Sequence, residues 1–324
     1  MNGSGGNDWK PTASRATLQR RAQMLAIVRS FFAQRGVMEV DTPIVVNAPV
    51  TDVHIHSAQV RLGDRTYFLH TSPEYAMKRL LAAGSGDIYQ ICHVVRDFER
   101  SRLHNAEFTL IEWYRVGFTA AQLMDEVETL TRELLGAKEP LASERVSYRD
   151  VFLNALGIDP LTASLDELKS TAANLGLQTA FSADSTRDDL LDLLMGVHIG
   201  PKLGERALTF VHGYPASQAA LARLDPDDPR TALRFELYYR GIELANGFQE
   251  LASAAEQRSR FEQDRRERQR RGLPVYAADE RLLAALEAGL PECSGVAVGF
   301  DRLVMLASGA SHIDEVLAFA LERA

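Results

Sequence analysis

Residues 96–114 read RDFERSRLHNAEFTLIEWY, and they bring together an arginine (Arg96), a His104-Asn105 pair, an aromatic (Phe108) and acidic side chains. The second half of the run alternates like a β-strand. With a side-chain period of two, Phe108, Leu110, Glu112 and Tyr114 share one face, and Thr109, Ile111, Trp113 and Arg115 the other. The first face then offers a flat ring at one end and a carboxylate with a phenol at the other, a surface able to hold a nucleotide and an amine side by side. An ordinary half-buried strand shows the same alternation. The rest of the chain has to decide between the two.

Upstream, the apolar run IYQICHVV beginning after Asp87 reads as a buried strand, joined to the strand that begins at Phe108 by a loop at Arg100 to Asn105. An antiparallel hairpin is the expected product. Nearer the N-terminus, residues 1–13 read as a flexible leader. Ser14 is placed to cap a helix whose apolar positions Leu18, Ala22, Leu25, Val28 and Phe32 recur at three- and four-residue spacing, with Gly36 ending it. A short strand, Val37 to Val40, stops at Asp41-Thr42-Pro43 because proline removes a donor and restricts the residue before it. A second helix is expected from Pro73-Glu74 to Gly84. Residues 137–210 carry Leu/Ala-rich helical patterns and no convergent polar set, which reads as an inserted, mainly helical subregion of one catalytic domain spanning 14–324. Beyond it come strands at Thr209 to His212 and Arg234 to Ile242, a charged helix from about Glu250, and CSGVAVGFDRLVML running from strand through glycine into helix.

Composition narrows the function classes. A chain of 324 residues, 46% hydrophobic, can bury a large core. The net charge of −8 opposes a protein whose whole surface tracks nucleic acid. The most basic run, Arg258 to Arg271, is interleaved with Glu and Asp and reads as a solvated helix with internal ion pairs. The two cysteines, Cys92 and Cys293, lie far apart without metal-ligand spacing. No apolar run is long enough to span a bilayer and MNGSGGNDWKP lacks a signal-peptide pattern, so a cytoplasmic protein without membrane contact is expected.

Glycine-rich phosphate loops of the GxxxxGK[ST] and GxGxxG kinds are absent, so side chains must hold any nucleotide. Arg96, Arg102 and His104 on the hairpin are the candidates, with Arg302 after Gly299 at the start of the last helix. A second constellation lies in FELYYRGIELANGFQE, residues 235–250, with Glu236, Glu243, Asn246 and Glu250 set among apolar residues. Glu236 and Glu243, seven apart, fall on opposite faces of one continuous strand, but a turn at Arg240-Gly241 lets both carboxylates converge. Oxygen ligands of this kind suit Mg²⁺.

These segments carry a resemblance. GVMEVDTP (36–43), RDFERSRLHNAEFTLIEWY (96–114), ELYYRGIELANGFQEL (236–251) and GVAVGFDRLVML (295–306) resemble the three signature motifs and the amino-acid site of class II aminoacyl-tRNA synthetases of the lysyl type. The likeness runs from about Ser14 to Ala324. Within that superfamily the chain is most similar to the short lysyl-tRNA synthetase paralogues that ligate β-lysine to elongation factor P, with VHGYPASQAALA (211–222) a further matching segment.

The resemblance implies an α+β fold, an antiparallel sheet flanked by helices, and a homodimer built partly through residues 36–43. It also implies ATP bound in a bent form with Mg²⁺. At the matching positions Arg96 would meet the α-phosphate, His104 and Asn105 the phosphate and ribose side, and Phe108 would stack under adenine with Arg302 above. Glu236, Glu243 and Glu250 would organise the metal. Glu74, Asn246 and Glu250 would lie near the backbone amine of the amino acid, with Glu112 and Tyr114 gripping its side-chain ammonium. Arg96, Glu250 and Arg302 would form the catalytic set.

Two departures from the family pattern stand out. The usual Arg-x-Glu becomes Arg96-Asp97-Phe98 with Glu99 one place later, so either backbone groups read adenine or Glu99 substitutes. Ala106 stands where proline usually follows the asparagine.

Lysyl-tRNA synthetases carry an anticodon-binding β-barrel before the first motif, whereas about a dozen residues precede the first helix here. The expected acceptor is therefore a lysine side chain on elongation factor P and not tRNA. The family resemblance also makes Ala297 the choice between amino acids, because lysyl-tRNA synthetases have glycine there and the β-lysine ligases alanine. One methyl in a pocket is worth about 1–3 kcal/mol, or about ten- to two-hundred-fold in discrimination, favouring (R)-β-lysine. Alternatives are α-lysine with another acceptor, an asparagine synthetase on the same fold, which Glu112 with Tyr114 opposes, and a regulatory paralogue, which the retained Arg96, Arg302 and glutamates oppose.

Overall fold

The computed structural model describes residues 9–97, 100–136 and 141–324. In chain order the elements are α1 (Arg15–Ala33), β1 (Met38–Glu39), β2 (Val45–Val46), β3 (Gln59–Leu62), β4 (Arg65–Leu69), α2 (Glu74–Ala82), β5 (Ile88–Val95), β6 (Glu107–Val116) and α3 (Ala120–Leu135). They continue with β7 (Ser143–Ser147), α4 (Tyr148–Leu156), α5 (Leu165–Asn174), α6 (Arg187–Leu194), β8 (Leu208–Pro215), β9 (Thr231–Tyr239), β10 (Ile242–Gln249), α7 (Ala254–Arg270), α8 (Glu280–Gly289), β11 (Cys293–Gly299) and α9 (Phe300–Ser308). An eight-stranded sheet has the order β1-β5-β6-β11-β10-β9-β8-β7, and β2-β4-β3 form a small second sheet. Among the described residues, only the two edge pairs of the large sheet, β1 with β5 and β7 with β8, are parallel. The chain has the α+β architecture expected of it.

Binary patterning separates the faces of that sheet. Trp113 and Tyr89 turn to the side covered by α1, α3 and α9, where Phe32 stacks on Tyr89 at 4.3 Å between ring centroids. Helix α1 starts as its sequence demands, with Ser14 Oγ accepting from the Thr17 amide at 3.1 Å. Its buried stripe is Met24, Val28, Phe31 and Phe32, while Ala22 is exposed. The two adjacent phenylalanines outweigh alanine in area buried and set the helix's rotation.

Three other expectations are refined. Residues 141–207 hold α4, α5 and α6 around their own apolar cluster, and also β7, which extends the large sheet beside β8. The charged helix begins at Ala254, capped by Ser253, because the Glu250 amide is already bonded to the Cys293 carbonyl at 3.0 Å. Its ion pairs are largely internal, as expected: Arg260 with Glu256, Arg265 with Glu262, and Arg270 and Arg271 with Glu267. Finally, β9 and β10 are two strands, turned by Arg240 and Gly241, whose φ angles are 52° and 70°. Two consecutive positive φ values match the right-handed twist of a two-residue hairpin.

Phe98, Glu99 and the first eight residues of the expected leader lie outside the described residues. Among those described, no helix is long and apolar enough to cross a membrane.

Candidate active site

The floor of the site is a single row of side chains that crosses the large sheet at right angles to its strands. Gln90 on β5 pairs with Glu112 on β6, Glu112 with Ala297 on β11, Ala297 with Asn246 on β10, and Asn246 with Glu236 on β9. Directly opposed residues point to the same face, and each step is about 4.8 Å. Ala297 therefore stands one strand from Glu112 and one from Asn246. It is only half-buried and lines the cleft instead of filling core.

One end of the cleft is cationic. Arg96, His104, Phe108, Glu243 and Arg302 line it. The Arg96 guanidinium lies 5.1 Å from the centre of the Phe108 ring. Arg302 is held in three directions, donating to the Glu243 carbonyl at 2.8 Å, to His104 Nε2 at 2.7 Å and to the Leu103 carbonyl at 3.4 Å. Burial, then the neighbouring Arg302 and Arg96, push the His104 pKa down to about 4. The imidazole is thus neutral near pH 7. Accepting from Arg302 through Nε2, it carries its proton on Nδ1, which faces Ser101 Oγ at 2.7 Å. Asp301, 2% exposed, fixes the start of α9 by accepting from the Thr109 amide at 2.8 Å and pairing with Arg21. Asn105 also lines the cleft, with its Nδ2 spent on the Glu107 carbonyl at 2.7 Å. Arg102 is turned outward, donating to the Ser311 carbonyl.

The other end is a buried charge cluster. Lys78, 1% exposed, reaches Glu74 at 2.8 Å and Glu250 at 2.6 Å. Tyr114 donates its hydroxyl to Glu112 at 2.8 Å. A Cβ added at Gly295 would stand 2.3 Å from the Tyr114 ring and 2.6 Å from Glu250 Oε1, so glycine is what lets Tyr114 and Glu250 pack against this strand. Burial first, then the neighbouring carboxylates, raise Glu112 to about 8; burial and Glu74, opposed by Lys78, raise Glu250 to about 7. Glu250 thus lies close to Glu112 and Tyr114. Lys78 bridges it to Glu74. Lys78 was not singled out in the sequence, since a glutamate and a lysine four residues apart are an ordinary pairing on any exposed helix face.

Glu236, Glu243 and Glu250 do not form one metal cage. Arg234 and Tyr238 take the two oxygens of Glu236, and Lys78 takes Glu250. Among the described residues, no group of three or more His, Cys, Asp or Glu is spaced to hold a metal ion. Glu243 remains on the cleft wall. Its pKa is raised by burial and by Glu236, so this carboxyl has a use for a cation. It would suit Mg²⁺ as a single carboxylate ligand.

A family model described as class II tRNA synthetases (D, K and N) matches residues 7–323. The protein named elongation factor P--(R)-beta-lysine ligase in Vibrio vulnificus (strain YJ016) is 52% identical over 318 residues, covering 96% of this chain and 98% of that protein. Its namesake in Vibrio cholerae serotype O1 is 50% identical over 324 residues, 98% of this chain and 99% of that one, and the one in Proteus mirabilis (strain HI4320) is 49% identical over 324 residues, 98% of each. With its arginine-lined cleft, its buried carboxylate pocket and a match over nearly its whole length, the chain belongs to the class II tRNA synthetase family of the D, K and N type.

Proposed function

We propose that this protein is an ATP-dependent ligase that adenylates (R)-β-lysine and transfers it to a lysine side chain of elongation factor P. The observation that carries the reading is the row Glu112, Ala297, Asn246. It joins a buried, ammonium-seeking pocket to an arginine-lined cleft, with a methyl group midway. The relatives' names supply the acceptor.

In this reading an oxygen of the substrate carboxylate attacks the α-phosphorus of ATP, and the bond to the β-phosphate breaks. Pyrophosphate leaves. Arg96 and Arg302 face the charge that grows on the phosphoryl oxygens, and the three hydrogen bonds holding Arg302 spare it reorganisation during the step. Neutral His104 holds Arg302 without competing for phosphate as a second cation would demand. Phe108 gives adenine an apolar face. Glu112 and Tyr114 take the distal ammonium, which aims the carboxylate toward the arginines. When bound at Glu243, Mg²⁺ would supply charge neutralisation for the phosphates. The acceptor lysine, its ammonium having lost a proton to solvent, then attacks the carbonyl carbon of the mixed anhydride; the C–O bond to phosphate breaks, AMP departs and the new amide sheds its second proton. A cytoplasmic homodimer that does not use tRNA completes the proposal.

The test is the intact mass of elongation factor P after incubation with this protein, Mg-ATP and either (R)-β-lysine or α-lysine. A β-lysyl mass gain, much faster than with α-lysine, is expected. Pyrophosphate release without any mass gain would keep the adenylation and remove the acceptor. Equal gains with both isomers would remove the assigned role of Ala297.

A further inference from the structure

The row across the sheet does not end at Glu112. One strand further, on β5, Gln90 projects from the same face and is 1% exposed. Its carbonyl oxygen Oε1 and the Glu112 oxygen Oε2 are both buried and both without a donor. Two acceptors on directly opposed residues need a donor between them, since buried polar groups are otherwise paired; without substrate the proton that Glu112 holds, its carboxyl being raised to about 8, fills that place, and a substrate ammonium would take it over. The Gln90 side chain also neighbours the Cys92 thiol, two residues on along the same face. Tyr114 supplies a third acceptor, because its hydroxyl proton goes to Glu112 Oε1 and leaves the oxygen lone pairs available.

An ammonium carries three N–H donors and no acceptor. We propose that Gln90 is a specificity-determining residue for the amino-acid substrate, its side-chain carbonyl completing with Glu112 and Tyr114 a three-acceptor cage for the distal ammonium. The inference rests on the adenylation of a diamino acid proposed above and adds a contact that this reading did not use. A neutral third ligand has a physical purpose here. Glu74, Glu112 and Glu250 already crowd the pocket with one lysine between them, so a further carboxylate would add repulsion where an amide adds only a dipole. The cage also demands three donors at one point, which separates a terminal ammonium from a hydroxyl or a methyl of similar size.

The experiment compares Gln90→Met, which keeps the volume and removes the acceptor, with Gln90→Glu, which restores one. Pyrophosphate release is measured with (R)-β-lysine and with 3-aminoheptanoate, in which a methyl replaces the distal ammonium. Losing a hydrogen bond to a charged group corresponds to about 10- to 100-fold, so Gln90→Met is expected to lower kcat/KM for (R)-β-lysine by about that factor, mainly through KM. The ATP KM and the activity on 3-aminoheptanoate should hold within about twofold. Gln90→Glu restores an acceptor but adds the repulsion of a further carboxylate, so it should recover part of the loss on (R)-β-lysine and none on 3-aminoheptanoate. An equal fall on both substrates, or no fall on (R)-β-lysine, would overturn the role of Gln90 while leaving the ligase reading intact. A wild-type protein that releases no pyrophosphate with (R)-β-lysine would remove both. Should Gln90→Met fail to fold in a thermal scan, Gln90→Glu carries the decision alone: it must keep the preference for (R)-β-lysine over 3-aminoheptanoate within tenfold of wild type.

Discussion

Ala297 is the smallest side chain with a large assigned effect. Its register partners are Glu112 on one side and Asn246 on the other, so under the proposed function its methyl lies along the path of an amino acid bound between the buried carboxylates and the arginines. A substrate whose amine sits on the carbon nearer the carboxylate presents its bulk at a different point of that path from one whose amine is shifted by a carbon. Ala297→Gly removes the methyl and should lower the preference for (R)-β-lysine over α-lysine by about ten- to two-hundred-fold, the usual value of one methyl in a pocket. The ratio of kcat/KM values for pyrophosphate release with the two isomers measures it. An unchanged ratio would mean that the methyl does not touch the substrate and that discrimination lies elsewhere.

At the scale of elements, β11 does two jobs with two small residues, and they can be separated. Gly295 faces Tyr114 in the neighbouring strand, and a Cβ there would fall well inside contact distance of both the tyrosine ring and Glu250. Tyr114 is 2% exposed and packed with Met77, Leu81 and Ile88, so it cannot swing away. Gly295→Ala should therefore deform the ammonium pocket, raising the amino-acid KM more than tenfold, and cost about 1–3 kcal/mol of stability as an overpacked core. Equilibrium binding of ATP, at the far end of the cleft, should not change. If ATP affinity fell in parallel, the two ends would be one mechanical unit. The hairpin that carries much of this site was legible in the sequence, because a period of two is a local signal: Phe108 on the assigned face lines the cleft, Glu112 and Tyr114 on the same face bond each other in the buried carboxylate cluster, and Trp113 does turn to the opposite core. The turn at Arg240-Gly241 was legible for the same reason. What was not legible depends on distant contacts. Lys78 is buried because α2 packs where the chain returns at Glu250, and Arg21 meets Asp301 only when α1 lies across α9. Gln90 is polar within an apolar run, and only the register with β6 shows what it opposes. No periodicity within a segment encodes such pairings.

Over the whole molecule, the buried ionisable groups set a pH profile of stability that the substrate should change. The carboxyls of Glu112 and Glu250, ordinarily near 4.5, are raised to about 8 and about 7. The folded protein therefore holds protons there that the unfolded chain has released, so the stability these groups contribute is fully present below about pH 4.5 and is lost as pH rises through 7 and 8. His104 works in the opposite direction. Its pKa is lowered from 6.5 to about 4, so its neutral form is favoured by folding, and that contribution is lost as pH falls from about 6.5 toward 4. The two windows overlap between about pH 4.5 and 6.5, where the two carboxyls outweigh the one histidine, so the net contribution of these groups is already falling at pH 6. From there to pH 8.5 the ligand-free protein should lose on the order of a few kcal/mol, since each unit of pKa shift is worth about 1.4 kcal/mol and the carboxyls share one pocket. Tm should fall by several degrees. Saturation with (R)-β-lysine supplies a cation where the proton was, so the ligand should stabilise the protein more at pH 8.5 than at pH 6 and flatten the alkaline side of the profile. Thermal scans at both pH values, with and without the amino acid, decide this. A ligand shift that is the same at pH 6 and pH 8.5 would mean that substrate binding does not displace the pocket's protons, and the ammonium would have to be placed outside the cluster of Glu74, Glu112 and Glu250.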